Sequence, residues 1–190
     1  MNISKESLIE KIEYLDSSSN DFKLPSWEEL PALELYMDQV IILLNQYLVR
    51  DITTPITQSM INNYVKLKAI PAPVKKRYNK VHLAYLIIFC TLKQTLSIAT
   101  IQKIMPVDLE ECEVIKLYTA FLQNRKKAFE YASKQTEKIS KEFFSSDTED
   151  GRGVCDVIMQ ISIIANVFKI LTDKILCVKN DEDEKEKAEK

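Results

Sequence analysis

Glycine is almost absent from this chain, whose 190 residues contain only Gly151 and Gly153. Loops that bring the backbone close to a phosphate need several glycines at fixed spacing, so no Walker or dinucleotide-binding loop is present. The chain also has a single histidine, His82, and no C-x-x-C pair among its four cysteines, which excludes the usual zinc sites. Most familiar enzyme classes are thereby excluded, and we expect no catalytic residues, no metal and no cofactor.

Charge is divided sharply along the sequence. Residues 1–51 carry 4 basic and 10 acidic residues, 52–107 carry 8 basic residues and no acid, and 108–190 carry 14 basic and 18 acidic residues. The formal net charge of −2 therefore conceals a middle region of net +8. Such a region favours a negatively charged partner. A solvated basic face, covered by the acidic flanks, is the alternative.

The position of these charges favours nucleic acid over lipid. Six of the eight lie between Lys66 and Lys80, around a turn interrupted by proline. A surface that binds anionic lipid would instead combine a basic amphipathic helix with exposed apolar anchors. The longest apolar run, Val81–Leu92, is too short to cross a bilayer, and Lys and Glu recur through the first 16 residues, unlike a signal peptide. We expect a cytoplasmic protein with no membrane partner.

Apolar spacing and capping residues predict a mainly helical fold. We divide the chain into N-terminal helices (1–51), a central region (52–107), a C-terminal helical hairpin (108–179) and an acidic tail (180–190). The predicted helices are Lys5–Leu15, Ala32–Leu48, a Thr57-capped helix to about Leu67, an Asn79-capped helix from Lys80 to about Gln94, a Ser97-capped helix from Ile98 to Met105, and two long helices from about Asp108 to Ser140 and from about Cys155 to Lys179, with a loop at 145–153 between the last two.

The Thr57-capped helix has an unusual outward face. Its inward set is Met60 or Ile61 with Tyr64 and Val65. Paired asparagines compete with the backbone for hydrogen bonds, so their place on an exposed helix face requires a reason. Asn and Gln amides can pair with adenine in the major groove of DNA. The side chains predicted to face bases are Gln58, Ser59, Asn62 and Asn63.

A basic segment follows this helix. Pro71 and Pro73 end helical geometry, and Lys75–Tyr78 is predicted to continue as a short strand or wing. If four to six of its cations each neutralise one phosphate, log K should fall against log salt with a slope of roughly −4 to −5. The residues predicted to contact phosphates are Lys66, Lys68, Lys75, Lys76, Arg77 and Lys80.

The run from Thr57 to Met105 resembles the DNA-binding head of MerR-type transcriptional regulators, and more closely an uncharacterised bacterial family, a domain of unknown function, related to that head. Tyr64 matches a tyrosine of the MerR helix, 69–71 the Gly-Leu-Ile-Pro corner, and 75–78 the basic wing. Asn62 and Asn63 depart from this pattern by replacing Arg and Tyr, as Ala69 does by replacing Gly. The resemblance implies a winged helix-turn-helix head.

The last long helix carries apolar residues in an unbroken 4-3 alternation, as in coiled coils. This seam favours either an intramolecular hairpin or a homodimer interface. Its members are Val157, Ile161, Ile164, Phe168, Leu171 and Ile175.

The sequence as a whole favours a MerR-like regulator that binds double-stranded DNA and is not an enzyme. Its recognition helix would enter the major groove, and its wing would contact phosphates. A non-enzymatic adaptor that binds an acidic protein partner through the same basic surface is the alternative.

Overall fold

The computed structural model describes residues 23–49, 52, 54–144 and 152–188. Within these ranges the chain is mainly helical, as the sequence predicts, with six helices and no strand. The predicted helix Lys5–Leu15 and most of the predicted loop at 145–153 lie outside the described residues. The helices are α1 (Met37–Tyr47), α2 (Gln58–Lys66), α3 (Lys80–Leu92), α4 (Ile98–Ile104), α5 (Glu111–Phe144) and α6 (Arg152–Ala188).

The chain forms two compact units, one ending at Phe129 and the other beginning at Glu130. In the first unit α3 is the core helix, because its nine consecutive residues from His82 to Cys90 are all buried. A helix that is apolar on all sides is expected inside a domain, and this prediction is confirmed. Burial of Cys90 raises the pKa of its thiol to about 12, so the reactive thiolate is absent at neutral pH.

Two buried tyrosines donate hydrogen bonds to backbone carbonyls of the segments that pack around this core. Tyr118 Oη donates to the carbonyl oxygen of Pro25 at 2.7 Å, and Tyr85 Oη donates to that of Pro106 at 2.8 Å. Burial raises the pKa of both phenols, which therefore remain neutral donors. Trp27 packs edge-on against Tyr118, with ring centroids 6.5 Å apart.

Three predicted helix caps are confirmed. Thr57 Oγ1 accepts from the backbone N–H of Met60, Asn79 Oδ1 from that of His82, and Ser97 Oγ from that of Thr100. Each side chain satisfies a donor that a helix N-terminus leaves unpaired. The starts of α2, α3 and α4 are therefore encoded locally.

The predicted helix Ala32–Leu48 is too long at its start. Leu35 forms an antiparallel bridge with Tyr78, with backbone N···O distances of 2.8 and 2.9 Å, so the helix cannot begin before Met37. At the other end of the chain α6 continues to Ala188, through most of the predicted acidic tail. The Glu, Lys and Ala of that segment are strong helix formers.

The predicted wing strand at 75–78 is wrong in its geometry. In place of a strand, Val74 and Arg77 form a single bridge that closes a two-residue turn, with Arg77 N–H donating to the Val74 carbonyl at 2.9 Å. Lys75 and Lys76 have φ of 48° and 64°, so this is a type I′ turn. Such turns normally carry Asn-Gly, since positive φ is unfavourable for side chains with a Cβ.

The C-terminus of α2 holds a third lysine at positive φ, Lys68 (54°). The N–H of Ala69 donates to the Tyr64 carbonyl, and the N–H of Lys68 donates to that of Val65, both at 2.9 Å. This is a Schellman motif, in which the left-handed position is usually glycine.

Glycine substitutions on either side of this helix end should have opposite effects. Lys68→Gly removes an unfavourable left-handed Cβ and is expected to raise the free energy of unfolding by about 1 kcal/mol. Lys66→Gly, inside α2, is expected to lower it by about 1 kcal/mol. Urea denaturation of both variants measures the two values, and a loss of stability in Lys68→Gly would contradict the assigned backbone geometry.

Candidate nucleic-acid interface

Helix α2 presents a polar side away from the core. Ile61 and Tyr64 are buried, whereas Ser59, Asn62 and Asn63 are exposed. At helical spacing the three polar residues lie opposite the two buried ones, and Lys66, also exposed, shares their side. Gln58 is exposed at the first position of the helix. The side chains predicted to face bases are thus all on the surface and are accessible to a ligand.

The helix is fixed to the core by contacts at both ends. Its buried Tyr64 packs on Phe89 of α3, with ring centroids 4.4 Å apart. Before its start, the Asn45 side chain accepts from Ile56 N–H at 2.8 Å and donates to the Ile56 carbonyl at 3.0 Å. After its end, Gln102 Nε2 donates to the Leu67 carbonyl at 2.5 Å. These contacts hold the polar side of α2 in a fixed orientation.

Asn45 and Gln102 were not singled out by the sequence analysis. Both satisfy backbone groups in segments distant along the chain, 11 residues away for Asn45 and 35 for Gln102. Asn45 follows the apolar residues 40–44 of α1, and a polar amide at this position is the sequence feature that could have indicated a buried hydrogen bond. Gln102 gave no such signal.

His82 holds the segment between α2 and the turn. It is 5% exposed, its Nε2 lies 3.0 Å from the Ala72 carbonyl oxygen, and its Nδ1 lies 3.1 Å from the backbone nitrogen of Asn79. The Tyr78 ring packs edge-on against it at 5.6 Å. Since the imidazole anchors the segment that carries Pro71 and Pro73, its role in this unit is structural.

The turn at 74–77 projects two lysines. Lys75 and Lys76 occupy its central positions and are exposed, as are Lys66 and Lys68 at the end of α2. Among the residues that the structure describes, none of these four ammonium groups forms an ion pair. Residues 52–107 contain no acid that could neutralise them locally.

Two of the predicted phosphate contacts are already engaged within the unit. Arg77 Nη1 lies 3.5 Å from Glu34 Oε2, and Arg77 Cζ lies 5.5 Å from the centroid of the Tyr36 ring. Hydrogen bonding to Tyr36, and then to Glu34, raises the pKa of this guanidinium. Lys80 Nζ donates to the Trp27 carbonyl at 2.9 Å and lies 5.9 Å from the centroid of its ring. To contact phosphates as the sequence predicts, both groups would first have to exchange these partners.

Sites of other chemistry are not apparent in the described part of the chain. It contains no group of three or more His, Cys, Asp or Glu residues that could hold a metal. A depression of about 430 Å³ on α5 is lined by Lys134, Glu137, Lys138, Lys141 and Glu142, which are charged residues of one helix surface. Cys112, Cys155 and Cys177 are free and exposed.

The first unit is therefore a small helical domain, built around a buried central helix and carrying a polar helix and a basic turn on its surface. The chain belongs to the family described as a domain of unknown function (DUF1836), which it matches over residues 25–121, a little over half of its length. This confirms the predicted membership of a family of unknown function, and the match runs from before α1 into α5. No curated protein and no solved structure matches the chain, so the resemblance to MerR heads stays a prediction.

Proposed function

We propose that this protein binds double-stranded DNA and regulates transcription, with α2 as the recognition helix and the 74–77 turn in place of a longer wing. The observation that carries the proposal is the exposed side of α2, where amide and hydroxyl groups share a helix side with Lys66, which has no ion pair within the described residues. We call this set the reading surface: Gln58, Ser59, Asn62, Asn63, Lys66, Lys68, Lys75 and Lys76.

Helix geometry supports a division of roles within the reading surface. A helix in the major groove presents its outward side chains to base edges, and Asn or Gln amides can contact adenine with two hydrogen bonds. In the proposal, the lysines just beyond the helix end and in the turn contact phosphates rather than bases. In this scheme Asn62 and Asn63 provide specificity, and the lysines provide affinity.

Backbone strain offers independent support. The three non-glycine residues with positive φ within the described ranges are Lys68, Lys75 and Lys76, all of which belong to the reading surface. Strain of this kind is retained at binding sites more often than elsewhere. A turn optimised for stability alone would carry Asn-Gly at 75–76, and would then lose two cations.

Replacement of both recognition asparagines should separate specificity from affinity. Asn62→Ala with Asn63→Ala is expected to remove about 1–3 kcal/mol of base discrimination per lost amide pair, and to leave the salt dependence unchanged. The measurement is enrichment of binding sites from a pool of randomised duplexes. The matched control is Asn124→Ala, an exposed asparagine of α5, which should enrich the wild-type motif.

Two outcomes would contradict this assignment. The wild-type protein could enrich no motif, in which case its binding would be non-specific. The double variant could enrich the same motif as the wild type, in which case other residues read the bases.

An adaptor that binds an acidic protein is the second candidate. It is favoured by apolar side chains beside the lysines, since Leu67 is 44% exposed between Lys66 and Lys68 and Val74 is 62% exposed next to Lys75. Exposed apolar groups suit a protein interface better than a phosphate backbone. Leu67→Ser with Val74→Ser should leave DNA affinity unchanged if our proposal holds, and should abolish partner binding in the adaptor.

A further inference from the structure

Helix α6 exposes apolar side chains on most of its circumference. Within Gly153–Cys177, only 11% of the most apolar window is buried, although its mean hydropathy is 1.8. A helix of this kind is ordinarily covered by protein or by lipid. By length and composition alone, this segment could cross a membrane. Charged residues interrupt this segment, so it does not stand out in the sequence as an uninterrupted apolar run.

The distribution of charge favours protein as the cover. The charge-free run is Val157–Phe168, twelve residues long; Lys169 follows it directly, and Asp173 and Lys174 come within the next turn and a half of the helix. A transmembrane helix needs about 20 predominantly apolar residues, whereas runs of about 10–14 are more typical of buried helices. Lys169 Nζ and Asp173 Oδ1 form an ion pair at 2.5 Å. By helical spacing, this pair lies on the same polar side of the helix as Ser162 and Asn166.

The apolar seam has the repeat that a second helix requires. Its alternation of four and three residues keeps one stripe facing a partner over five turns. Val157 is buried and Ile164 is partly buried, but the other four members are 36% to 69% exposed: Ile161, Phe168, Leu171 and Ile175. This seam is self-complementary, which suits an isologous interface between two copies of the chain.

Charge complementarity selects the direction of pairing. Asp156 and Lys174 are eighteen residues apart, which is five helical turns, so they lie on the same side of α6 near opposite ends of the seam. In an antiparallel pair crossing near Ala165, Asp156 faces Lys174 of the partner subunit at both ends. In a parallel pair, Asp156 and Lys174 of the partner subunit would be about 27 Å apart along the helix axes, so this attraction would be lost.

We propose that two copies of this chain associate through α6 in antiparallel orientation, with the seam as the interface. The inference is independent of DNA binding, because it uses no residue of the reading surface. A dimer carries two reading surfaces related by two-fold symmetry, and would favour an inverted-repeat site if the protein binds DNA.

Sedimentation equilibrium of the full chain tests the interface. Ile161→Glu with Leu171→Glu places two carboxylates in the seam and should weaken dimerisation by about 100-fold or more. The matched control is Ser162→Glu with Asn166→Glu, which adds the same two carboxylates at exposed positions on the polar side opposite the seam, and this variant should remain dimeric. Equal helicity by circular dichroism confirms that both variants fold.

The remaining outcomes overturn the proposal. A wild-type chain that is monomeric at about 100 μM, well above the Kd of a stable dimer, has no such interface. Equal weakening by both double variants would show that the seam is not specific. Co-sedimentation of the wild type with phosphatidylcholine vesicles, together with a requirement for detergent, would assign the helix to a membrane.

Charge exchange tests the orientation. Asp156→Lys and Lys174→Asp should each weaken the dimer by about 5-fold, because each places like charges opposite each other at both ends, and the double exchange should restore it. In a parallel pair Asp156 and Lys174 of the partner subunit do not face each other, so unchanged dimerisation in both single variants would overturn the antiparallel arrangement.

Discussion

Removal of three reading-surface lysines, Lys66, Lys75 and Lys76, by substitution with Gln is expected to reduce DNA affinity on the order of 100-fold near 0.1 M salt. Each cation that neutralises a phosphate releases a counterion, so the slope of log K against log salt should become shallower by about 2.7. Gln keeps the side-chain length and removes only the charge. Fluorescence anisotropy with a labelled duplex at several salt concentrations measures both quantities.

The matched control replaces three exposed lysines of α5, Lys116, Lys127 and Lys134, with Gln. Net charge falls by the same amount, but the acid-free region is unchanged. If long-range charge alone attracted DNA, both triple variants would lose affinity equally, and the reading surface would have no special role.

The second large effect concerns the attachment of α2 to the core. Phe89 is fully buried and packs on Tyr64 with the two rings tilted by 46°, so Phe89→Ala should lower the free energy of unfolding by about 3–5 kcal/mol. Phe129→Ala makes the same chemical change at a ring that is 37% exposed, and should cost much less. Urea midpoints of the two variants give the comparison. Similar losses would mean that α3 is not the central core helix.

Because Phe89 supports Tyr64, its truncation should also weaken DNA binding under conditions in which the protein stays folded. The buried side of α2 fixes the direction of its exposed side. A variant that remains folded and binds DNA with unchanged affinity would show that this attachment does not orient the reading surface.

Local signals in the sequence were sufficient to predict several elements. Asn79 followed by an apolar run predicted α3 as the buried helix, and Thr57 predicted the start of α2. Of the predicted inward set, Ile61 and Tyr64 are buried, whereas Met60 and Val65 are only partly buried. These features depend on neighbours within one or two helical turns. They are therefore visible without tertiary information.

Features that depend on distant partners were not predictable. Leu35 pairs with Tyr78 across the first unit, and Lys80 binds the carbonyl of Trp27, 53 residues away. The type I′ turn could not be predicted for a different reason. Its two central positions usually hold Asn-Gly, whereas this chain has two lysines there. The sequence placed basic side chains in this region, but it could not indicate which of them are held by other residues.

The central proposal is tested most directly by the salt dependence of DNA binding by the unmodified full chain. Four reading-surface lysines are without ion pairs within the described ranges, so we expect a slope of log K against log salt of about −3.6 per chain. This slope is shallower than the value of roughly −4 to −5 expected from the sequence alone. The titration uses a duplex of about 30 base pairs between roughly 50 and 200 mM salt. Binding with this slope is the predicted result, and no binding at the lowest salt, or affinity independent of salt, would contradict it.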